Sequence, residues 1–382
     1  MISNLIKSLF FISIFSLFMS QAFATSWPVP TAPQVSAKGF LIQDFHSGMT
    51  LAESNANQRM EPASITKLMT TYIIFSELKE GRLKLDEMVR ISKKAWRMEG
   101  SRTFVEVNST VSVETLLKGI IVQSGNDATV ALAEHIAGSE ETFASLMNQT
   151  AQKIGMKFTH YVNSTGWPHP EHYTTAKDIA LLARTMIREH PEYYSYYSEK
   201  EFEYNGIKQH NRNRLLWRDK TVDGIKTGHT ESAGYCLVSS AKRDDMRLIT
   251  VVLGDKSEEA RAISSQSLLN YGFRFFETRK LYSAGENLKQ VRIWKGDREM
   301  LPLGLAEDLN ITFPRGKYSQ LVASMDIKPR IMAPAKKGRG YGTFNISLDN
   351  IVIAEKPLVA LQSVEEGGLW TQISDEAQLF FQ

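Results

Sequence analysis

Ser64 and Lys67 are the residues whose types and spacing point most directly to chemistry. They lie three residues apart at the start of an apolar stretch, and residues three apart on a helix share one face. A serine hydroxyl is a weak nucleophile at neutral pH and needs a base within hydrogen-bond reach. Backbone N–H groups at a helix start also favour negative charge. The pair therefore indicates a serine nucleophile with an adjacent amine as its base.

Two later motifs strengthen this interpretation. Residues 124–127 (Ser-Gly-Asn-Asp) fall in a polar turn between two predicted helices, and residues 226–229 (Lys-Thr-Gly-His) end a predicted strand. A Ser-x-x-Lys pair alone is common by chance. Together the three motifs form the ordered set S-x-x-K, S-x-N and K-T-G, which serine enzymes of acyl transfer use with S-D-N as the middle motif. The set predicts an acyl-enzyme on Ser64.

Hydrophobic spacing predicts the helices that position these motifs. Pro62 suits a first helical position, and the apolar residues behind Ser64 recur at helical spacing with little charge as far as Gly81. A helix with so little charge should be buried on most sides. Further helices are predicted at residues 113–121, 128–136, 143–154 and 175–188.

The period changes from helical to two at residue 222. Strands are predicted at residues 222–227, 234–241 and 247–253, and a helix at about 257–276. A hairpin is predicted near the start of the chain, from strands at 37–44 and 49–53. Strands at both ends of a helical middle predict one mixed sheet with helices packed around it.

A small all-β domain is predicted after about residue 281, where strands alternate with glycine, proline and charged residues. Its strands are expected at residues 291–294, 309–313, 321–326, 343–348 and 351–355. We expect five segments in all: a signal peptide at 1–24, a proline-rich leader at 25–35, a catalytic domain at 36–278, the β domain at 279–365 and an amphipathic tail at 366–382.

The tail allows two interpretations. As a helix it would place Leu369, Ile373, Ala377 and Phe380 on one face. Interfacial membrane helices usually carry Lys or Arg on the polar face, whereas this one carries Asp375 and Glu376. Packing against the β domain and lying on a membrane surface therefore both remain open.

The first 24 residues have the pattern of a secretory signal. Lys7 precedes an apolar stretch at residues 9–19, and residues 22–24 (Ala-Phe-Ala) offer a cleavage site. The stretch is shorter than the roughly 20 residues that span a bilayer. We therefore expect export to the periplasm, with a possible peripheral position on the outer face of the inner membrane.

Composition excludes several classes of protein. The net charge of +3 arises from 45 basic and 42 acidic residues that are scattered along the chain, so no nucleic-acid partner is expected. The single cysteine, Cys236, excludes an intramolecular disulfide framework and is expected to be a buried strand thiol. Residues 169–172 (His-Pro-Glu-His) lack paired metal-ligand spacing, so no zinc site is expected, and Glu171 is interpreted as a solvated loop charge.

With its three motifs the chain resembles the low-molecular-mass penicillin-binding proteins that act as D-alanyl-D-alanine carboxypeptidases, particularly the penicillin-binding protein 5 and 6 group. The matching text also includes residues 211–217, 222–230, 272–278 and 311–316, so it covers nearly the whole mature chain. The resemblance implies an α+β fold with a transpeptidase-like catalytic domain, in which helices flank an antiparallel sheet. It also implies a β-rich second domain and a C-terminal amphipathic anchor.

The resemblance implies a role for each motif residue. Ser64 is the nucleophile, neutral Lys67 its base, and Ser124 the relay of a proton toward the leaving amine. Asn126 holds the substrate amide and helps to position Lys67. The remaining implied residues bind substrate: backbone N–H groups of Ser64 and His229 form an oxyanion hole, Gly228 lies on a strand edge open to an extended peptide, and the terminal carboxylate is received by Lys226, Thr227 and Arg261.

The resemblance further implies a peptidoglycan stem peptide as substrate, β-lactam antibiotics as covalent inhibitors, and no cofactor or metal. Two other functions remain open from the residues themselves: a β-lactamase that uses the same nucleophile, and a non-catalytic peptidoglycan-binding protein. Cleavage of peptide cross-links as a side activity also remains open.

Overall fold

A five-stranded sheet with the order β2-β1-β9-β8-β7 forms the centre of the first part of the chain, in a computed structural model that describes residues 29–381. The expected signal peptide at residues 1–24 lies outside the described residues. The strands of this part are β1 Gly39–Asp44, β2 Thr50–Ser54, β3 Met88–Arg90, β4 Thr110–Ser112, β5 Glu201–Tyr204, β6 Ile207–His210, β7 Val222–Thr230, β8 Gly234–Arg243 and β9 Met246–Asp255.

Every pairing in the five-stranded sheet is antiparallel, so the prediction of a mixed sheet is wrong and the antiparallel expectation is confirmed. Tight turns join β7 to β8 and β8 to β9, and a tight turn can only connect antiparallel neighbours. The initial hairpin β1–β2 then adds to the far side of β9, with Phe40 opposite Val252. Strand β7 is left at one edge of the sheet.

Helices cover both faces of this sheet. They are α1 Lys67–Lys79, α2 Lys93–Trp96, α3 Val113–Lys118, α4 Asn126–Ala137, α5 Glu140–Ile154, α6 Ala176–Glu189, α7 Pro191–Tyr194, α8 Leu215–Arg218 and α9 Glu258–Phe275. Helix α1 is buried along almost its whole length, as predicted from its lack of charge. Cys236 is buried in β8, which confirms its interpretation as a structural thiol.

The second part of the chain contains only strands and one short 3-10 turn, Tyr318–Gln320, as far as the helical tail. Its strands are β10 Phe276–Tyr282, β11 Lys289–Trp294, β12 Met300–Gly304, β13 Leu309–Pro314, β14 Leu321–Ile327, β15 Ile331–Met332, β16 Gly340–Leu348 and β17 Ile351–Ala360. Strands β10 and β13 pair with each other, and the rest form a sheet of order β14-β16-β17-β12-β11-β15. The expected domain boundary between residues 278 and 279 falls within β10.

A buried carboxylate fixes the second part to the first. Asp44, at the end of β1, accepts a hydrogen bond from the Thr278 hydroxyl of β10 at 2.8 Å. Thr278 also shares a hydrogen bond with Thr312 of β13, which in turn bonds to Ser47 at 2.6 Å. Because hydrogen bonds to a buried charge are costly to lose, this network holds the two parts in one arrangement.

The tail forms helix α10, Leu369–Phe380, and rests on the β region through its acidic side. Asp375 is buried and accepts hydrogen bonds from Arg292 at 2.9 Å and from the backbone N–H of Lys295. Glu376 pairs with the Lys295 side chain. The tail therefore contacts the β domain while its apolar residues point outward. No helix within residues 29–381 has the length and apolar character needed to cross a bilayer.

Candidate active site

Ser64 lies in a single 3-10 turn, Ala63–Thr66, immediately before α1, and not within the α-helix itself. Ala63 adopts a φ of 47°, a left-handed conformation that costs a non-glycine residue about 1–2 kcal/mol. The turn packs tightly against Gly166, where an added Cβ would lie 1.8 Å from the Ala63 carbonyl oxygen. The close approach of these two loops presents Ser64 at the surface of a cavity while its neighbours are buried.

Lys67 is fully buried one turn after Ser64. Its Nζ lies 2.9 Å from Ser64 Oγ, 2.7 Å from Asn126 Oδ1 and 2.8 Å from the Thr165 carbonyl oxygen. Burial lowers the Lys67 pKa from its usual value to about 7, and the positive charge of Arg212 contributes to the same shift. A neutral amine beside a serine hydroxyl can accept its proton.

An irregular end of the preceding helix places Ser124 and Asn126 beside Ser64 and Lys67. After α3 the chain forms one π turn, Gly119–Gln123, and Ser124 then takes a left-handed φ of 66°. Asn126, the first residue of α4, donates to the Glu99 carbonyl oxygen at 2.6 Å and accepts from Lys67. Ser124 Oγ is buried and has no hydrogen-bond partner within residues 29–381, so its hydroxyl is available to a group in the cavity.

Asp127 supports the loop that faces this motif, a role that sequence reasoning missed. Its carboxylate is buried and accepts backbone N–H bonds from Thr103 and Phe104, both at 2.8 Å. These bonds fix the loop at residues 99–104, of which Gly100 and Ser101 line the cavity. The only sequence signal was an acidic residue next to Asn126, because its partners lie more than 20 residues away.

Strand β7 brings the third motif to the Ser64 turn. An added Cβ on Gly228 would lie 3.0 Å from the Pro62 carbonyl oxygen, so glycine permits the close approach. Thr227 and Gly228 line the cavity. Lys226 is buried behind it and donates to the Thr227 carbonyl oxygen at 3.0 Å. Burial lowers the Lys226 pKa well below its usual value, and the nearby Lys67 adds to this shift.

Two arginines, Arg212 and Arg261, line the cavity, and Glu258 lies 3.7 Å from Arg261. Arg261 donates to the Gly228 carbonyl oxygen at 3.1 Å and lies over the Tyr235 ring, so the structure places this predicted residue beside the third motif. The exposed His229 ring also packs on Tyr235, with ring centres 4.0 Å apart. Arg212 lines the same cavity and was given no role from the sequence. Its positive charge is the one that contributes to the lowered pKa of Lys67.

His172 is a further residue that sequence reasoning missed. It is buried, and its Nδ1 accepts the Val162 N–H at 3.2 Å, so Nε2 carries the proton and donates to Thr66 Oγ1 at 2.8 Å. Burial, with smaller contributions from other cations, lowers the His172 pKa to about 4. A neutral His172 therefore links the loop that carries Thr165 to the turn that carries Ser64.

These elements enclose an open cavity of about 940 Å³. The predicted residues that line it are Ser64, Ser124, Asn126, Thr227, Gly228, His229 and Arg261, while the two predicted lysines lie just beneath its surface. The cavity thus combines a nucleophile and an amine base with cations that can bind a carboxylate. The arrangement can perform acyl transfer on a small anionic peptide.

Comparison with family models matches two successive parts of the chain. Residues 27–257 match the D-alanyl-D-alanine carboxypeptidase family, and residues 276–366 match the C-terminal domain of penicillin-binding protein 5.

Relatives with assigned functions align over nearly the whole chain. The D-alanyl-D-alanine carboxypeptidase DacC of Escherichia coli (strain K12) is 43% identical over 96% of this chain and 93% of its own length. The D-alanyl-D-alanine carboxypeptidase DacA of the same organism is 42% identical over 92% of this chain and 90% of its own length.

Solved structures show the same architecture. Penicillin-binding protein 5 from Haemophilus influenzae superposes with a TM-score of 0.86 at 42% identity, covering 88% of this chain and all of its own. Penicillin-binding protein D2 from Listeria monocytogenes, solved in its ampicillin-bound form, has a TM-score of 0.59 at 30% identity and covers 64% of this chain and all of its own.

Proposed function

This chain belongs to the D-alanyl-D-alanine carboxypeptidase family and is a serine-type carboxypeptidase, and we propose that Ser64 attacks the terminal D-Ala-D-Ala bond of peptidoglycan pentapeptide stems. The observation that carries the proposal is the 2.9 Å separation between Ser64 Oγ and the buried Lys67 Nζ. The Lys67 pKa of about 7 leaves a substantial neutral fraction at physiological pH, so the base is available.

In the proposed acylation step, Lys67 takes the Ser64 proton as Ser64 Oγ bonds to the carbonyl carbon. The negative charge that develops on the carbonyl oxygen is held by the backbone N–H groups of Ser64 and His229. Losing one such donor typically costs on the order of 100- to 1000-fold in rate. Ser124 relays the proton that Lys67 took from Ser64 to the D-alanine nitrogen as the C–N bond breaks, so D-alanine departs and the acyl-enzyme remains as an ester of Ser64. Water then hydrolyses this ester and releases the shortened peptide.

Substrate orientation is proposed to depend on β7 and the cations beside it. An extended peptide can add to the free edge of β7 as a further strand. Its terminal carboxylate would be received by Thr227, Lys226 and Arg261. The Lys226 pKa is lowered in the free protein, and an incoming carboxylate would favour the ammonium form. Asn126 would hold the amide on the acyl side of the scissile bond.

The test uses the purified mature chain. It should release D-alanine from a diacetyl-L-Lys-D-Ala-D-Ala peptide, and mass spectrometry after benzylpenicillin treatment should locate a long-lived penicilloyl group on Ser64. Rapid penicillin turnover without D-alanine release would instead identify a β-lactamase. A folded chain that does neither would support the non-catalytic alternative. Release of D-alanine from cross-linked dimers would reveal an additional endopeptidase activity.

We also propose that the chain works in the periplasm, with α10 resting on the outer face of the inner membrane. Leu369, Trp370, Ile373, Phe380 and Phe381 are between 59% and 87% exposed and lie together on or directly after this one helix. The acidic residues that argued against lipid contact are paired with Arg292 and Lys295. Their charges are therefore largely neutralised, and repulsion from anionic lipid is reduced.

A vesicle assay checks this membrane contact. The mature chain should cosediment with vesicles of phosphatidylethanolamine and phosphatidylglycerol, because the exposed apolar residues of α10 can enter the interface. The double variant Trp370→Ser/Phe381→Ser should lose at least about half of the bound fraction while keeping its activity in solution. Trp217→Ser is the matched control, since Trp217 is 47% exposed but lies on α8. Equal binding by both variants would exclude α10 as the contact.

A further inference from the structure

Trp167 is a large apolar side chain that lines the active-site cavity and yet remains 45% exposed. Most of the other residues that line the cavity are glycine, serine, threonine, asparagine or charged, and the other aromatic rings, His229 and Tyr235, pack on each other. Aromatic side chains held at the edge of a binding site supply much contact area at low entropic cost. None of the catalytic roles described above uses this residue.

The loop that carries Trp167 is rigid. Asn163 Oδ1 accepts backbone N–H bonds from Gly166 at 2.8 Å and from Trp167 at 3.1 Å, and Asn163 Nδ2 donates to the Trp167 carbonyl oxygen at 2.9 Å. The backbone carbonyl oxygen of Thr165, in the same loop, accepts a hydrogen bond from Lys67 Nζ. The hydrogen bond from Lys67 to Thr165 therefore helps to hold the loop that carries the indole.

The position of the indole identifies which part of a ligand it meets. A Cβ added to Gly100 would lie 3.5 Å from Trp167 Cζ3 and 3.0 Å from Asn126 Nδ2. Gly100 thus lies between the indole and the Asn126 amide, on the same wall of the cavity. The cation that contacts the third motif, Arg261, lies on the wall formed by β7. A ligand with its carboxylate near Arg261 and its acyl amide near Asn126 brings its acyl substituent to Trp167.

We propose that Trp167 is a specificity-determining residue that packs against the substituent on the acyl side of the scissile bond. It favours stem peptides and β-lactams that carry a long or aromatic group there over those that carry none. This inference rests on the proposed function, because it takes its orientation from Ser64, Asn126 and Arg261.

A pair of β-lactams isolates this contact. Benzylpenicillin carries a phenylacetyl group on the acyl side, and 6-aminopenicillanic acid carries only an amine there. In Trp167→Ala, the second-order acylation rate constant for benzylpenicillin should fall about tenfold, a typical loss for a missing apolar contact. The rate constant for 6-aminopenicillanic acid should change less than about twofold. Trp167→Phe should restore most of the benzylpenicillin rate, because a phenyl ring can fill part of the same space.

Trp217→Ala provides the matched control, as an exposed tryptophan outside the cavity, and should leave both rate constants unchanged. An equal fall for both β-lactams would show that Trp167 acts only on the structure of the site, and no change for either would show that it contacts no ligand. Both outcomes overturn the inference. They remain distinct from failure of the proposed function, which is an absence of D-alanine release by the unmodified chain.

Discussion

Ser64→Ala is expected to lower D-alanine release on the order of 10⁶-fold, the loss seen when a serine enzyme loses its nucleophile, and to abolish the penicilloyl adduct. No other hydroxyl in the cavity has an amine at 2.9 Å within the described residues. Ser124, the serine of the second motif, has no hydrogen-bond partner for its hydroxyl among the described residues. The variant should therefore have no substitute nucleophile.

The fold of Ser64→Ala should be unaffected, which makes the loss interpretable. Ser64 Oγ bonds only to Lys67 among the described residues, and Lys67 keeps its bonds to Asn126 and Thr165. The melting temperature should match that of the parent chain within a few degrees. Ser145→Ala on the exposed side of α5 is the control and should retain full activity and adduct formation. An adduct of parental yield on Ser64→Ala would falsify the assignment of the nucleophile.

The sequence was sufficient to find the residues that lie within one motif, because local spacing determines their relation. Ser64 and Lys67 share a face under any helical geometry, and the structure brings them to hydrogen-bond distance. The exact backbone was harder to predict. Nothing about the Ala63 side chain indicates a left-handed φ. The sequence therefore predicts the start of an α-helix where the structure has a 3-10 turn. The turn packs against Gly166, about 100 residues away in the sequence.

Asp127, His172 and Arg212 were missed for a related reason. Each acts through partners distant in sequence: Asp127 through the 99–104 loop, His172 through Thr66, and Arg212 through its charge on Lys67. A single sequence carries no record of such pairs. The mixed sheet was likewise predicted from strand content alone, whereas the tight turns at both ends of β8 require antiparallel neighbours.

The sequence pattern of the tail predicts an apolar helical face and leaves its contact partner open, because it does not reveal which residues pair with Asp375 and Glu376. In the structure Arg292 and Lys295 of the β region neutralise them. Whether a charged residue repels a surface depends on its partners, and those partners lie 80 residues earlier in the chain.

The acylation rate constant should depend strongly on pH. Lys67 must be neutral to accept the Ser64 proton, and its pKa in the free protein is about 7. The second-order acylation rate constant, which reports the free enzyme, should therefore fall about tenfold per pH unit below 7 and level off above it. Lys67→Arg should lower the plateau by about 100- to 10,000-fold, the usual contribution of a general base, and should lose this limb because a guanidinium stays protonated.

The lowered pKa of Lys67 can be tested by removing one of its causes. Burial is the main cause and the Arg212 charge the second, so Arg212→Gln should raise the Lys67 pKa and move the limb to higher pH. Lys79→Met lies at the other end of the same helix, where the Lys79 side chain donates to the Glu189 carbonyl oxygen, and should leave the limb in place. A limb that persists in Lys67→Arg, or that stays fixed in Arg212→Gln, would assign the proton transfer to another group. Because Arg212 also lowers the pKa of the buried Lys226, the base is identified as Lys67 by both results together: the limb moves in Arg212→Gln and is lost in Lys67→Arg.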